Sequence, residues 1–258
     1  MNSVTRREML TRTGQAVTVL AFGLPAIEAA AKVRLPPQVA KRGRLKVIVA
    51  GGHPGDPEYG CGGTIARYVD LGYEVVLLYL NDGEWPASKG GAPASTRLAE
   101  ATKACQILKA RPVYAGQTNG KAVLDSSHFD EYGKILEAER PDVVLTHWPI
   151  DAHRDHRATS ALAFDAWLQM GRRFALYYYE VSNGEDTLQF SPTHYVNITA
   201  TEATKRVACY AHASQTPEKF YALQDDVAKF RGIESGCERA EAFVLQVQSP
   251  YEALPAAP

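Results

Sequence analysis

The chain lacks a strong charge of either sign, an apolar run long enough to cross a bilayer, and internal repeats. Its 258 residues contain 28 lysines and arginines against 29 aspartates and glutamates, so the formal net charge is −1. Its basic residues form only short runs, so the sequence does not show the clustered positive charge that is typical of nucleic-acid-binding proteins. A hydrophobic content of 45% is typical of a globular protein and excludes collagen, coiled coil and disorder.

Cysteines are few, and no two of them have the CxxC spacing of metal or redox motifs. The four are Cys61, Cys105, Cys209 and Cys237. Three lie in or beside predicted helices, where buried free thiols are common. We interpret them as structural thiols, although an oxidising compartment would allow two disulfides.

The N-terminus has the layout of an export signal. Arg6 and Arg7 precede an apolar stretch at 16–26, and small residues follow at 29–31. A charged region, a short apolar region and an A-x-A site predict a signal peptide over 1–31, and the paired arginines resemble a twin-arginine signal. We therefore expect a periplasmic or secreted protein with no integral membrane segment in its mature form. The alternative is an amphipathic N-terminal helix.

Short apolar segments alternate with helical ones through residues 42–248, which we predict to form one domain. The predicted strands are 45–50, 74–80, 112–115, 142–146, 175–181, 194–198 and 242–247. The predicted helices are 62–71, 95–109, 129–139, 157–170, 201–214 and 217–230. This order predicts an α/β fold, a three-layer sandwich with a mostly parallel, Rossmann-like sheet. The tail 249–258 is rich in Pro and Ala, and we expect it to be flexible.

Metal-type ligands follow the two most apolar strands. The first cluster is His53-Pro54-Gly55-Asp56-Pro57-Glu58, and the second runs from His147 to His156 with three histidines and two aspartates. Ligands bind at the carboxyl edge of an open α/β sheet, so both clusters belong to one edge. Two histidines and a carboxylate with an open fourth position are typical of a catalytic zinc site.

The glycines after the first cluster allow a different interpretation. Gly62-Gly63-Thr64 could bind phosphate through backbone N–H groups, as glycine-rich helix starts do. The sequence has neither GxGxxG nor a Walker lysine. Close helix packing is the simpler role, and a nucleotide-binding protein is the less favoured alternative.

Both clusters resemble the motifs of one enzyme family. Residues 53–64, His-Pro-Gly-Asp-Pro-Glu-Tyr-Gly-Cys-Gly-Gly-Thr, are similar to the His-Pro-Asp-Asp-x-Glu and Gly-Gly-Thr signature of the LmbE-like or PIG-L zinc-dependent N-acetylglucosaminyl deacetylases. Residues 151–156, Asp-Ala-His-Arg-Asp-His, resemble its second motif. The resemblance covers roughly residues 44–210 and implies a metal-dependent amidohydrolase.

The resemblance also implies roles for individual residues. The metal ligands would be His53, Asp56 and His156, holding one zinc ion, with other divalent metals as alternatives. His153 would face the reacting amide, and Asp155 would orient it. Arg97 would bind substrate. Because Glu100 lies three residues later, the two side chains could instead form an ion pair on the surface of a helix.

One position departs from the family pattern. Gly55 stands where the family has the aspartate that acts as general base, and losing a positioned base costs ~10²–10⁴ in rate. By loop position, Glu58, Asp82 or Asp151 is a candidate replacement. Metal hydroxide without a dedicated base is a second possibility, and a protein that binds but barely turns over is a third.

We therefore expect an exported hydrolase that removes the acetyl group from an N-acetylated amino sugar or glycoconjugate. The alternative is a non-catalytic or weakly active metal-dependent carbohydrate binder on the same fold. Trp85 and Trp148 flank the predicted mouth and suit either stacking on a sugar or packing. The substrate-specific loops, 83–95 and 116–128, carry no pattern that identifies the sugar.

Overall fold

A computed structural model of the protein describes residues 44–182 and 184–255. The predicted signal at 1–31 lies outside these residues and stays a prediction. None of the helices in the described ranges combines the length and the apolar character that a membrane span requires.

Seven strands and six α-helices make up the described domain. The strands are β1 (Lys46–Gly51), β2 (Glu74–Asn81), β3 (Arg111–Gln117), β4 (Val143–His147), β5 (Ala175–Tyr179), β6 (His194–Asn197) and β7 (Ala240–Leu245). The helices are α1 (Asp56–Asp70), α2 (Ala94–Leu108), α3 (Ser126–Glu139), α4 (Arg154–Gln169), α5 (Glu202–Tyr210) and α6 (Pro217–Ser235). Every predicted strand and helix is present, with bounds that shift by up to six residues.

The seven strands form one sheet in the order β3-β2-β1-β4-β5-β7-β6. The first five strands are parallel, whereas β7 runs antiparallel to both β5 and β6. The strand order reverses between β1 and β4, so the loops after these two strands diverge at a topological switch point. The predicted three-layer sandwich with a mostly parallel sheet is confirmed.

Both faces of the sheet are buried, which explains why its strands read as continuous apolar runs. Along β1, Val47 and Val49 belong to one core and Ile48 to the other. The first core also takes in Ile65 of α1, and the second takes in Leu162 of α4. Helices thus cover the sheet on each side, and the polar edge where the strands end is left for a site.

Helix α1 begins at Asp56, six residues earlier than predicted. Gly60, Gly62 and Gly63 weaken the helical pattern because glycine is a poor helix former. The structure shows why they are tolerated: a Cβ on Gly60 would lie 2.5 Å from Cδ2 of Tyr179, and one on Gly63 would lie 2.6 Å from Cβ of Ile198. Close packing therefore selects glycine inside this helix.

The backbone amides at the end of this glycine run donate hydrogen bonds to a carboxylate side chain of the protein itself. Gly63 and Thr64 donate their N–H groups to the Glu241 carboxylate at 2.9 and 2.7 Å. Lys205 Nζ lies 2.7 Å from the same carboxylate, and all of these groups are buried. The packing interpretation of the motif is confirmed, and the amides proposed for phosphate are already occupied.

The C-terminal segment makes hydrogen bonds to the rest of the domain at Ser249 and Ala253, and the flexible tail predicted for 249–258 stays a prediction. Ser249 Oγ accepts a hydrogen bond from the Leu176 amide at 3.1 Å. The buried Ala253 donates its amide to the Tyr177 hydroxyl at 2.9 Å and accepts from the Tyr68 hydroxyl at 3.1 Å. The Pro and Ala content did not reveal these partners, because they come from distant strands and helices. Residues 256–258 lie outside the described range.

The close packing of α1 predicts opposite effects for two helical glycines. Gly63→Ala is expected to lower the free energy of unfolding by ~2–3 kcal/mol, because its Cβ overlaps Ile198. Gly133→Ala in α3 is the matched control. Its Cβ would meet only the end of the Gln169 side chain at 3.4 Å, so we expect no loss, or a gain of up to ~1 kcal/mol. Urea denaturation measures both, and equal effects would contradict the packing argument.

Candidate metal centre and active site

The two predicted ligand clusters meet at the carboxyl ends of β1 and β4. These strands are adjacent and parallel, with Val47 opposite Val143 and Val49 opposite Leu145. The loop after β1 leads into α1, and the loop after β4 leads into α4. Both helices therefore start at the same edge of the sheet, and their first turns bring His53, Asp56, His153 and His156 together.

The loop after β1 places His53 and Asp56 against each other. Oδ2 of Asp56 accepts the His53 amide at 2.8 Å and lies 3.1 Å from His53 Nδ1. On the far side of this imidazole, Nε2 lies 3.1 Å from Oδ2 of Asp155. His53 thus lies between two carboxylates, one from each loop.

His156 is held in the same way from the other side. Its Nε2 lies 3.2 Å from Oδ2 of Asp56, and its Nδ1 lies 3.1 Å from Oδ1 of Asp151. A Cβ on Gly52 would lie 3.0 Å from Cδ2 of His156. The glycine that follows β1 therefore lets this imidazole approach the first loop.

These contacts fit a divalent metal ion. His53 and His156 each direct one nitrogen toward Asp56 Oδ2 and have a carboxylate on the other nitrogen, which is the arrangement that orients metal-ligating imidazoles. The separations of 3.1 and 3.2 Å are close to the ~3.3 Å between two ligands bound tetrahedrally at ~2.0 Å. Among the described residues, two groups of possible metal ligands share His156: one also contains His53 and His153, and the other contains Asp56 and His147. The predicted set of His53, Asp56 and His156 takes members from both groups.

The pKa values show that this cluster favours a positive charge at its centre. Burial opposes ionisation of Asp56, yet the charges of His156 and His53 hold its pKa well below the ordinary value. Burial also opposes protonation of His156, but Asp56 and Asp151 raise its pKa to about 10. Protons on the imidazoles take the place that a cation would occupy, because the carboxylates attract either one.

His147, which the sequence analysis included in the second ligand cluster without naming it as a ligand, lies directly behind these groups. It is buried, its Nε2 lies 3.2 Å from Asp56 Oδ2, and its ring stacks on His156 at 4.0 Å. Burial and the charge of His156 lower its pKa to about 4, so it is neutral. Its position as the last residue of the central strand β4 is the signal that could have identified it.

The predicted partner of His153 is wrong in one respect. The Asp155 carboxylate is not hydrogen-bonded to this imidazole; it contacts His53 and accepts hydrogen bonds from Asn81 Nδ2 at 3.1 Å and Gly120 N at 2.7 Å. His153 Nδ1 instead accepts the backbone amide of Asp155 at 3.3 Å. Asp155 is the first-turn carboxylate of α4 and points toward the β1 loop, which local sequence could not reveal.

Arg97 is buried beside the first loop rather than exposed on its helix. It donates from Nη2 to the Pro54 carbonyl at 2.6 Å, and Nη1 lies 3.4 Å from Oε2 of Glu100. Its side chain also lines the cavity in front of the histidines. The guanidinium therefore supports the loop after β1, which carries His53 and Asp56. Its predicted contact with substrate stays a prediction.

A cavity of about 440 Å³ opens in front of the metal-type ligands. Its wall includes His53, Asp56, His153 and His156, and the exposed Trp85. This volume is in the range of small-molecule sites. Trp148, the other predicted mouth residue, packs edge-on against Tyr178 and Phe190.

The three predicted substitutes for a general base are all engaged elsewhere. Glu58 is buried, accepts the Tyr79 hydroxyl at 2.7 Å and lies 3.0 Å from His212 Nε2. Asp151 accepts the His153 amide at 2.7 Å and holds His156. Asp82 accepts the Glu84 amide at 2.9 Å in an exposed turn.

Comparison with known proteins agrees with this arrangement. Residues 48–167 match the PIG-L family, described as GlcNAc-PI de-N-acetylase. The chain is 29% identical over 220 residues to diacetylchitobiose deacetylase of Thermococcus kodakarensis, a match that covers 77% of this chain and 82% of the relative.

Solved structures show the same fold. The conserved protein TT1542 from Thermus thermophilus is 29% identical, with a TM-score of 0.70 over 82% of this chain and 97% of that one. The N,N'-diacetylchitobiose deacetylase from Pyrococcus horikoshii, complexed with its inhibitor MPG, is 24% identical, with a TM-score of 0.67 over 80% of this chain and 85% of that one.

The geometry predicts graded losses of metal affinity. Asp56→Asn is expected to abolish tight binding of Zn²⁺, because Oδ2 of Asp56 is the point on which the imidazoles converge. Asp151→Asn, which removes only the carboxylate behind His156, is expected to weaken it ~10–100-fold. Asp82→Asn is the control and should bind as the wild type does. Titration against a chelating competitor measures all three, and wild-type affinity in Asp56→Asn would contradict the ligand assignment.

The matched region, residues 48–167, spans β1 through α4 and includes both ligand-bearing loops. The residues that resemble the family motifs are those whose side chains converge at the switch point. The part of the chain that matches the PIG-L family model is therefore the part that forms the candidate metal centre.

Proposed function

We propose that the protein is a metal-dependent deacetylase that hydrolyses the acetamido group of an N-acetylated amino sugar or glycoconjugate, with zinc as the metal. The observation that carries the proposal is the cluster of two carboxylate-backed imidazoles around Asp56, at the floor of a cavity large enough for a sugar. The deacetylase relative of 29% identity supports the reaction type.

His53 Nδ1, Asp56 Oδ2 and His156 Nε2 would hold the ion. When bound, a divalent metal acts as a Lewis acid on the amide carbonyl and increases the acidity of water. Asp155 and Asp151 orient the two imidazoles and keep their tautomers fixed. The ligand geometry is thus set by the protein before any substrate enters.

His153 is placed to donate a hydrogen bond to the reacting carbonyl. Its Nδ1 accepts the Asp155 amide, so its neutral form carries the proton on Nε2. Burial and the neighbouring charges of His53 and His156 lower its pKa, which keeps the ring neutral near pH 7. A fixed donor of this kind stabilises the negative charge that develops on the carbonyl oxygen.

Trp85 supplies an apolar face on the wall of the same cavity. Its indole ring lies 3.6 Å from the Cβ position of Gly120, and Lys89 Nζ lies 5.2 Å from its ring centroid. A sugar ring presents apolar C–H groups that pack well on an aromatic face. We therefore assign Trp85 to substrate binding.

Acetate release tests the proposed activity. Zinc-loaded wild-type protein is expected to release acetate from diacetylchitobiose or N-acetylglucosamine, and His153→Ala to lower kcat by ~10²–10³-fold. His128→Ala, at a partly exposed histidine on α3, is the matched control and should keep full activity. A carbohydrate binder predicts thermal stabilisation by the sugar without acetate, and that result would overturn the proposal.

Trp85→Ala separates binding from chemistry. Removing the aromatic face is expected to raise KM ~5–10-fold while kcat stays within ~2-fold, because the interaction is the same in ground and transition states. Trp85→Phe keeps an aromatic face and should retain most of the affinity. An unchanged KM in Trp85→Ala would show that the sugar binds elsewhere in the cavity.

A further inference from the structure

Hydrolysis of an amide by water requires a group that takes a proton from the attacking water. Among the described residues, the carboxylates on the cavity wall are Asp56 and Asp186. Asp56 is committed to three imidazoles, with His53, His147 and His156 nitrogens 3.1–3.2 Å from its Oδ2. Asp186 is therefore the wall carboxylate that the metal-type cluster does not use.

The carboxylates behind the wall are also engaged. Asp155 contacts His53 and accepts two backbone amides, and Asp151 contacts His156 and accepts the Thr187 hydroxyl at 3.1 Å. Each of them supports an imidazole, so protonating it would weaken the ligand that it holds. This leaves Asp186 as the carboxylate free to exchange a proton with the cavity.

The loop that carries Asp186 is anchored to the segment that carries the site. The Asp186 backbone carbonyl accepts the Ala152 amide at 2.8 Å, and Leu188 donates its amide to the Ile150 carbonyl at 3.0 Å. Asp151 and Thr187 form a β-bridge between these two hydrogen bonds. The backbone that carries Asp186 is therefore anchored to the segment that carries His153 and His156, as positioning of a catalytic group requires.

The local electrostatics make Asp186 more basic than an exposed aspartate. Burial raises its pKa, His156 opposes the rise, and the negative charges of Asp56 and Asp151 add to it. The Ser182 hydroxyl acts in the opposite direction and lowers the pKa, as the smallest of these contributions. A carboxylate with a raised pKa accepts a proton more readily near neutral pH.

Gly55 cannot act as the general base, because glycine has no side chain. It contributes no side chain to the wall, and its φ of +116° is a conformation that side-chain-bearing residues rarely adopt. A carboxylate at position 55 would thus require the backbone at the start of α1 to change. The loop after β5 lines the same cavity and carries a carboxylate, Asp186.

We propose that Asp186 is the general base of the deacetylation, an inference that rests on the proposed function. As the water oxygen bonds to the acetyl carbon, one water proton passes to the Asp186 carboxylate. The C–N bond then breaks with its electron pair going to nitrogen, and the proton on Asp186 is transferred to that nitrogen. The products are acetic acid and the free amine, so atoms and charge balance, and acetic acid then loses its proton to the solvent and leaves as acetate.

The test compares Asp186→Asn with Glu185→Gln, which removes the same charge from the exposed neighbouring residue. Asp186→Asn is expected to lower kcat for diacetylchitobiose by ~10²–10⁴-fold, with KM, zinc content and melting temperature unchanged. Glu185→Gln should match the wild type. In Asp186→Ala, added formate is expected to restore at least ~10-fold of the lost rate, because it supplies a carboxylate to the emptied position.

The outcomes separate this inference from the proposed function. A wild-type enzyme that releases acetate, together with an Asp186→Asn variant within ~3-fold of it, overturns the role of Asp186 alone. Loss of activity with loss of zinc, or without formate rescue in Asp186→Ala, assigns a structural role and also overturns it. No acetate from the zinc-loaded wild type overturns the proposed function and this inference with it.

Discussion

The convergence of imidazole nitrogens on Oδ2 of Asp56 is the interaction on which the site depends. Three histidines from two separate loops lie 3.1–3.2 Å from this one oxygen. So many buried polar groups at one point are stable only with a cation, or protons in its place, to balance them. The remaining features of the site either bring these groups together or supply that balance.

The fold brings the groups together through the reversal of strand order between β1 and β4. The chain continues from β1 to β2 on one side and from β4 to β5 on the other side of this pair. The connecting helices α1 and α4 therefore diverge and leave a crevice at the carboxyl ends of the two strands. The first turn of each helix faces that crevice. Glycines at the end of β1 and within α1 permit the close approach, and the buried Glu241 and Lys205 secure the back of α1 against the sheet.

A second layer of carboxylates turns a cluster of histidines into an ordered site. Asp151 and Asp155 each hold one imidazole from behind, and each is itself fixed by backbone amides. Asp186 differs from them because it lines the cavity and its pKa is raised rather than lowered. Carboxylates of one chemical type thus take different roles according to what surrounds them.

The order of strands and helices, the parallel sheet and the two ligand clusters could be predicted from the amino-acid sequence. These follow from local patterns: apolar runs, glycine breaks and the histidines that end two strands. The sequence did not reveal the start of α1, where packing overrides the low helix propensity of glycine, nor the partners that hold the C-terminal segment. His147 belonged to the second ligand cluster, but its contact with Asp56 was not predicted, and Asp186 belonged to no motif.

Which carboxylate contacts which histidine depends on the folded chain and could not be predicted. Asp155 adjoins His156 in the sequence but holds His53, and Asp151 holds His156 across the first turn of α4. The folded chain also places a loop after β5, with no recognisable motif, at the cavity. The reason is physical: neighbours in a folded active site are set by strand order and helix direction, which bring together residues that are up to about a hundred positions apart.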